Sequence, residues 1–185
     1  MGRQKVLLPF GGQTVIERIV HALVGAGADD LIVVTGHRAQ RVAAALKGLP
    51  VRIAFNTDYQ RGMLSSVRCG LNAAAPATSA FMVALGDHPS ITSRLVHHMI
   101  TVAARRPDQV PSILVPTFGG RRGHPLIFTH HFKQQVLTRF DDTGLRGLLA
   151  ANPAAVTQIP VAQASILLDM DSPEDYDQQR HQVES

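Results

Sequence analysis

The first two thirds of this sequence alternate between amphipathic helical segments and short runs of β-branched apolar residues. The segment 14–24 places its apolar residues on one helical stripe, and 31–35 is almost wholly apolar, as in a strand covered on both faces. The same patterns predict further helices at 39–47, 64–75 and 93–105, and further strands at 51–55, 80–85 and 112–116. Helices and strands that alternate along the sequence at this spacing predict an α/β domain with a mostly parallel sheet.

The last third is less regular, and it predicts short strands at 126–128, 156–160 and 166–168, with helices near 130–139, 145–151 and 173–179. An α/β domain of this type normally opens with a strand, whereas this sequence opens with loop-like residues 2–5 followed by a helix. Either the sheet starts elsewhere in the chain, or an opening strand is absent.

Composition excludes several classes of protein. With 185 residues, of which 45% are apolar and 17% charged, the chain can bury a core, and we expect one domain over 1–185. Its apolar runs are far shorter than the ~18 residues of a membrane span, and the apolar stretch before Pro9 is too short for a signal peptide. A single cysteine, Cys69, excludes an intramolecular disulfide. We therefore expect a reducing, cytoplasmic location and no membrane partner.

The net charge of +4 comes from scattered basic pairs, and the aromatic residues are seven Phe and two Tyr, with no Trp. Nucleic-acid binding usually needs a basic stripe and stacking aromatic side chains, so we expect no nucleic-acid partner. A mildly basic surface of this kind suits a small phosphorylated ligand.

Acidic residues follow the predicted strands at the sheet edge where ligands bind in parallel sheets. Asp87 follows the strand at 80–85 after one glycine, and a carboxylate fixed there suits Mg²⁺, although Gly-Asp before Pro is also ordinary turn chemistry. Asp169 and Asp171 are two residues apart, so in an extended backbone their side chains face the same way. Ser172 and Pro173 after them are typical of the start of a helix.

Two glycine-containing segments have features of phosphate sites. In 119–125, freed backbone amides and the guanidinium groups of Arg121 and Arg122 could grip a phosphate, or the segment is an exposed hairpin turn. In 62–66, an anion could lie at the N-terminus of the following helix, or Ser65 simply caps that helix.

Six short motifs follow one another in a recognisable order: Met1-Gly2-x-x-Lys5, Leu8-Pro9-Phe10-Gly11-Gly12, Gly62-Met63-x-x-Ser66, Leu85-Gly86-Asp87-His88-Pro89, Gly120-x-x-Gly123-His124-Pro125 and Asp169-Met170-Asp171-Ser172-Pro173-Glu174-Asp175. With them, the sequence from residue 1 to about residue 178 resembles the MobA-like nucleotidyltransferases, most closely the molybdenum cofactor cytidylyltransferase branch. The Leu-Gly-Asp-x-Pro and Gly-His-Pro forms favour the cytidylyl branch over the guanylyl branch.

The resemblance implies a three-layer, Rossmann-like nucleotide-diphospho-sugar transferase fold and cytidylyl transfer from CTP to the molybdopterin cofactor, with release of pyrophosphate. It implies Mg²⁺ held by Asp87, with Asp169 or Asp171 as second ligand. It also implies that Lys5 neutralises the triphosphate and that the loop 121–124 lies on the pterin side. The binding residues expected on this basis are Gly62, Ser65, Ser66, Arg121, Gly123 and His124.

The sequence departs from this family at its start. Family members carry a strand and a glycine-rich turn, L-A-A-G-x-S-x-R, immediately before the motif that here begins at Met1. We therefore expect an N-terminally shortened domain without the first strand and, if the chain begins at Met1, weak or no nucleotide binding by this polypeptide. Two alternatives stay open: transfer from GTP or to another phosphorylated acceptor, and a non-catalytic protein that binds the molybdenum cofactor and delivers it to a recipient molybdoenzyme.

Overall fold

The computed structural model describes residues 4–184. After a 3-10 turn at Lys5–Leu7, two very short strands, β1 (Pro9–Phe10) and β2 (Gln13–Thr14), form an antiparallel hairpin. The other strands are β3 (Ile32–Thr35), β4 (Arg52–Phe55), β5 (Ala80–Val83), β6 (Ile113–Phe118), β7 (Arg121–Arg122), β8 (Leu126–Thr129) and β9 (Val156–Pro160). The helices are α1 (Val15–Val24), α2 (Ala39–Ala45), α3 (Met63–Ala73), α4 (Ser93–Ala104), α5 (Lys133–Thr138), α6 (Gly144–Ala151) and α7 (Pro173–Glu184).

Helix α1 shows how the local sequence sets an element. The side chain of Thr14 accepts a hydrogen bond from the Glu17 amide, and the Glu17 carboxylate accepts one from the Thr14 amide at 2.7 Å. This reciprocal cap satisfies amide donors that the first turn leaves unpaired. The apolar stripe then buries Val15 and Ile19, and the chain leaves the helix through Gly27, whose φ of +84° favours glycine.

The strands form two larger sheets. β3 and β4 pair in parallel, and a five-stranded sheet has the order β5-β8-β6-β7, with β9 paired to β6. β8 runs antiparallel to both β5 and β6, and β9 runs parallel to β6, so β5, β6 and β9 share one direction. The prediction of an α/β domain is confirmed, with the correction that the five-stranded sheet is mixed: β8 and the short β7 run against β5, β6 and β9, so three of its four strand pairs are antiparallel.

Two helices hold these sheets side by side in one layer. Val33 of β3 packs with residues of α1, whereas a Cβ on Gly70 of α3 would lie 3.2 Å from the side chain of Val34. In β5, Met82 packs in the same apolar cluster as Ile19 of α1, and Phe81 packs in the same apolar cluster as Leu71 of α3. Because successive strand residues point to opposite faces, α1 and α3 lie on opposite faces of both sheets, which gives the predicted three layers.

The strand layer is interrupted between β3 and β5. No ladder among residues 4–184 joins these two strands, although α1 and α3 pack across both. Between residue 4 and the β1–β2 hairpin the described chain forms only the 3-10 turn at Lys5–Leu7.

One predicted element is wrong. The apolar run 166–168 is not a strand, because the chain forms a 3-10 turn at Ala164–Leu167 that packs against the bend between β7 and β8. There the carbonyl of Ile166 accepts a hydrogen bond from the His124 amide at 3.0 Å. Ile166 is almost fully buried, so burial inside a turn explains the apolar pattern that suggested a strand. No helix within residues 4–184 has both the length and the apolar character needed to cross a membrane.

Candidate active site

The turn that follows β5 places a carboxylate beside a buried imidazole. Asp87 is half-buried, and its neighbour His88 is only 7% exposed. The His88 amide donates to the Leu85 carbonyl at 3.4 Å, which closes the turn. The turn therefore holds one polar side chain, that of His88, inside the protein and leaves the Asp87 carboxylate partly open to solvent.

A second histidine lies against the first. The rings of His88 and His124 meet edge to face, with 5.6 Å between their centroids. Burial lowers the pKa of both imidazoles, and the nearby His88 ring lowers the pKa of His124 further. Both rings are therefore neutral near pH 7, because their pKa values lie below the ordinary value of about 6.5.

Both ends of the chain reach this pair. The carboxylates of Asp87, Asp169 and Asp171 partly offset the effect of burial by raising the pKa of His88, so all three lie within electrostatic range of its ring. From the other end of the chain, Lys5 Nζ donates to Asp171 Oδ1 at 3.0 Å. We call these residues the histidine–aspartate cluster: Lys5, Asp87, His88, His124, Asp169 and Asp171.

The segment after Asp171 is positioned by the cap of α7. The Asp175 carboxylate accepts hydrogen bonds from the amide and hydroxyl of Ser172, at 2.7 and 2.8 Å, and the Asp175 amide donates to the Ser172 hydroxyl. These bonds, with a smaller contribution from Lys5, hold the pKa of Asp175 below its ordinary range. The prediction that Ser172 caps this helix is confirmed, and the cap fixes the chain at Asp171.

The carboxylates of the cluster suit a hard divalent cation. Within residues 4–184 no three His, Cys, Asp or Glu side chains are arranged to hold a metal ion by themselves. Mg²⁺ needs only one or two protein carboxylates when water and phosphate oxygens complete its shell. Asp171 is already ion-paired with Lys5, whereas the ion pairs of the described chain include neither Asp87 nor Asp169. The oxygen donors fit a cation that arrives with phosphate.

A second polar group lies where β4 leads into α3. The buried side chain of Asn56 donates to the hydroxyls of Ser65 and Ser66, at 2.8 and 3.1 Å. The Ser65 hydroxyl lies within donating distance of the carbonyls of Gly62, at 2.8 Å, and Asp58, at 2.9 Å. Capping of α3 by Ser65 is therefore wrong, since Gly62 is the capping residue, with φ +94°, and no side chain caps the helix.

The arginine loop is an exposed hairpin. Gly119 and Gly120 form its turn with positive φ, and Arg121 and Arg122 are exposed on β7. No hydrogen bond or ion pair found within residues 4–184 links Arg121 to the histidine–aspartate cluster. Gly123 has a packing role, because a Cβ there would lie 2.3 Å from the Ile166 carbonyl oxygen. Of this loop, His124 is the residue that the structure brings to the cluster.

The sequence profile of the MobA-like NTP transferase domain matches residues 1–156. The chain belongs to the MobA-like NTP transferase family. The resemblance drawn from its motifs is therefore confirmed, and this MobA-like chain is a nucleotidyltransferase.

Curated relatives of this MobA-like protein differ in what they do. The nicotine blue oxidoreductase of Paenarthrobacter nicotinovorans is 30% identical over 175 residues, which cover 92% of this chain and 84% of the relative. The molybdenum cofactor cytidylyltransferase of Escherichia coli K12 is 28% identical over 180 residues, which cover 95% of this chain and 86% of the relative.

Solved structures share the fold. Rv0371c of Mycobacterium tuberculosis H37Rv, in complex with manganese, superposes with a TM-score of 0.80 at 27% identity, covering 97% of this chain and 93% of that one. A nucleotidyl transferase from Methanothermobacter thermautotroptrophicus gives a TM-score of 0.83 at 25% identity, covering 97% and 84%. The predicted Rossmann-like nucleotidyltransferase fold is confirmed.

Sequence reasoning missed two residues that organise the site, His88 and Asn56. Each follows a predicted strand closely: His88 is next to Asp87, and Asn56 lies two residues before Asp58. Burial is what distinguishes them, at 7% exposure for His88 and 5% for Asn56, and burial of a polar side chain in a turn has no local sequence pattern.

Proposed function

We propose that the protein transfers a cytidylyl group from CTP to the molybdopterin cofactor and releases pyrophosphate. The observation that carries the proposal is the set of charged groups at the turn after β5: Asp87, Asp169 and Asp171 lie within electrostatic range of the neutral His88 ring, which contacts His124, and Lys5 is ion-paired with Asp171. The similarity to a molybdenum cofactor cytidylyltransferase over 95% of the chain supports this choice of substrates.

In this reaction the terminal phosphate of the pterin attacks the α-phosphorus of CTP in line, and pyrophosphate leaves. Catalysis of such a step consists mainly of positioning and of neutralising charge. Lys5 supplies positive charge to the triphosphate, and its bond to Asp171 keeps the ammonium group at the site before substrate arrives. No covalent intermediate with the protein is required.

Asp87 and Asp169 are the carboxylates that we expect to hold a divalent cation, Mg²⁺ or Mn²⁺. The reason is that Asp171 is engaged by Lys5, and the described chain offers no ion-pair partner to the other two. When bound, such a cation neutralises the developing charge on the phosphates.

His124 is suited to the pterin. Its Nδ1 atom is buried, and no hydrogen-bond partner for it was found within residues 4–184. A buried polar atom without a partner costs free energy, which a polar group of the substrate would recover. Because the His124 ring is neutral near pH 7, it can pair with an amide or ring nitrogen of a pterin. Of the other residues expected in this loop, Gly123 allows the close packing on Ile166 that positions His124, and Arg121 is exposed on β7 and free to move toward a bound phosphate.

The nucleotide would lie beside the N-terminus of α3, near Gly62, Ser65 and Ser66. The Ser65 hydroxyl is used by two backbone carbonyls. In contrast, the Ser66 hydroxyl accepts from Asn56, and its own proton is donated in none of the hydrogen bonds found within the described chain. We therefore expect Ser66 to contribute the direct hydrogen bond to the nucleotide.

The deciding experiment measures pyrophosphate release from CTP, GTP, ATP and UTP at several millimolar, with molybdopterin and either Mg²⁺ or Mn²⁺. The expected result is release with CTP that depends on molybdopterin. Preference for GTP would favour the guanylyl alternative. Pterin binding without turnover of any nucleotide would favour the delivery protein that serves a recipient molybdoenzyme.

Asp87→Ala distinguishes the part of the proposed site that binds the metal and phosphates from the part that binds the pterin. We expect it to abolish pyrophosphate release and to leave pterin binding intact, since Asp87 acts on the metal and phosphates. Equal loss of both activities would contradict this division of roles.

A second candidate is an oxidoreductase activity, which the 30% identity with nicotine blue oxidoreductase favours. The same preparation can be incubated with a reduced nicotinamide nucleotide and a redox dye. Oxidation of the nicotinamide without pyrophosphate release from any nucleotide would replace the transferase proposal by this one.

A further inference from the structure

A groove lies between α2 and β4, on the other sheet from the histidine–aspartate cluster. It has a cavity volume of about 790 Å³, and its lining includes Arg38, Arg41, Ile53, Phe55 and Tyr59. Pockets for small molecules usually enclose roughly 300–1,000 Å³, so the α2–β4 groove has the size of a ligand site.

The floor of the α2–β4 groove is apolar and uncovered. Ile53 and Phe55 are alternate residues of β4 and therefore share one face of the strand. They are 41% and 58% exposed, and Phe55 is the most exposed large apolar side chain found within residues 4–184. Ala39 and Ala43 of α2 line the opposite side, and their small side chains leave the space open.

One wall of the α2–β4 groove is fixed before any ligand binds. The Tyr59 ring packs on the backbone of Gly36, where an added Cβ would lie 2.4 Å from Tyr59 Cβ and 2.6 Å from its Cγ. The His37 ring contacts the same tyrosine, with 6.2 Å between centroids. Because the ring is held by its neighbours, an aromatic ligand could stack on it without first ordering the wall.

The charge of the α2–β4 groove is of one sign. Arg38 and Arg41 line it, together with His37, and no carboxylate is among its lining residues. No ion pair within residues 4–184 uses Arg38 or Arg41, whereas Arg52, on the same strand as Phe55, is bonded to Asp30. Unpaired guanidinium groups beside an apolar floor complement the charge of an anionic ligand.

We propose that the α2–β4 groove binds a small aromatic anion, a planar ring system carrying a sulfonate, carboxylate or phosphate group. The ring lies on Ile53 and Phe55 beside Tyr59, and the anionic group pairs with Arg38 and Arg41. This site does not depend on the proposed nucleotidyl transfer, because none of its residues belongs to the histidine–aspartate cluster or to the Ser65–Ser66 group.

The probe for this site is anilinonaphthalene sulfonate, measured by fluorescence titration and by backbone amide NMR. We expect one-to-one binding, with amide shifts concentrated at residues 36–43 and 53–59. Its uncharged relative, phenylnaphthylamine, should bind at least about tenfold more weakly, because it cannot form the charge-assisted bonds. Equal affinity of the two probes would overturn the proposal.

Two variants test the floor and the charge separately. Phe55→Ala and Arg38→Asn should each weaken binding by about tenfold or more. Asn is chosen because Arg38 has φ +55°, a conformation that Asn tolerates, so its backbone is preserved. The matched controls are Phe118→Ala and Arg105→Asn, an exposed phenylalanine and an exposed arginine outside the α2–β4 groove, which should leave binding unchanged.

Three results would overturn the proposal. Binding that survives both groove variants places the probe elsewhere. Displacement of the probe by CTP, with the same amide shifts, makes the α2–β4 groove part of the nucleotide site. A dimer in sedimentation that dissociates on Phe55→Ala shows that this face pairs two copies through the free edge of β4.

Discussion

The two sheets carry turns of similar composition in very different surroundings. The turn after β3 contains Gly36, His37 and Arg38, and it is open to solvent at the α2–β4 groove. The turn after β5 contains Gly86, Asp87 and His88, and it is packed against His124 and approached by both chain ends. A glycine, a histidine and one charged residue thus give an exposed cationic edge in one place, and in the other a buried neutral histidine beside half-buried and exposed carboxylates.

The strands behind these turns differ in the same way. β6, in the middle of the five-stranded sheet, is buried at every residue except Phe118, whereas three of the four residues of β4 are exposed. Central strands have neighbours on both edges and helices on both faces, while among residues 4–184 β4 has no strand partner other than β3. We infer that stability and a shielded electrostatic site belong to the larger sheet, and that the smaller sheet leaves surface free for binding.

The largest difference between the sheets should appear in stability. Phe128→Ala in β8 removes a fully buried ring that contacts Phe81, and we expect it to lower the free energy of unfolding by about 3–5 kcal/mol. Phe55→Ala in β4 should change it by less than about 0.5 kcal/mol, because that ring is exposed. Urea denaturation followed by circular dichroism measures both, and equal losses would break the comparison.

The next effect concerns the metal. Chelation of divalent cations should abolish nucleotidyl transfer, and Asp87→Asn should lower its rate by about 100-fold or more at saturating metal. The control is Asp29→Asn, an exposed aspartate just before β3, which should retain the full rate. Transfer that persists in the Asp87 variant would remove that carboxylate from the proposed site.

A smaller effect should follow from pH. The folded-state pKa values of His88 and His124 are lowered by burial, so the unfolded chain binds protons first as the pH falls below about 6.5. The free energy of unfolding should therefore be nearly constant above about pH 7 and should decrease from about pH 6.5 to pH 5. The lowered carboxyl pKa values of groups such as Glu17 and Asp175 reduce the free energy of unfolding only at pH values below about 5.

His88→Gln is the variant that tests this assignment. It should flatten the decrease in the free energy of unfolding between about pH 6.5 and pH 5, because one of the two buried imidazoles is removed. His37→Gln, at the corresponding but exposed turn after β3, should leave the decrease unchanged. If the free energy of unfolding fell equally steeply with pH in both variants, burial of His88 would not be the cause of the decrease.

The smallest effect should be that of the Lys5–Asp171 pair on stability. The two side chains are 30% and 71% exposed, so a double-mutant cycle with Lys5→Met and Asp171→Asn should give a coupling of at most about 1 kcal/mol. The loss of transfer activity in Lys5→Met should be much greater than this coupling implies. A large coupling with full activity would make the pair structural.

Sequence reasoning located most helices and strands because their apolar spacing is local. The stripe of α1, the β-branched run of β3 and the Ser172 cap of α7 each depend on residues only a few positions apart. It failed at 166–168, where apolar character reflected burial in a turn, and at Ser65, whose hydroxyl is taken by nearby carbonyls. At 166–168 the deciding contact comes from His124, far away in the sequence, whereas at Ser65 the carbonyls of Gly62 and Asp58 are only three and seven residues away and the backbone geometry decides.

The sequence by itself determined the α/β class, the family motifs and the acidic residues of the proposed site, because spacing and residue type are properties of the chain. Only the tertiary structure decided that His88 and His124 are neutral partners, that Lys5 engages Asp171, and that one side of β4 stays open. The physical reason is that charge state and exposure depend on which distant segments exclude water from a side chain, and folding alone brings those segments together.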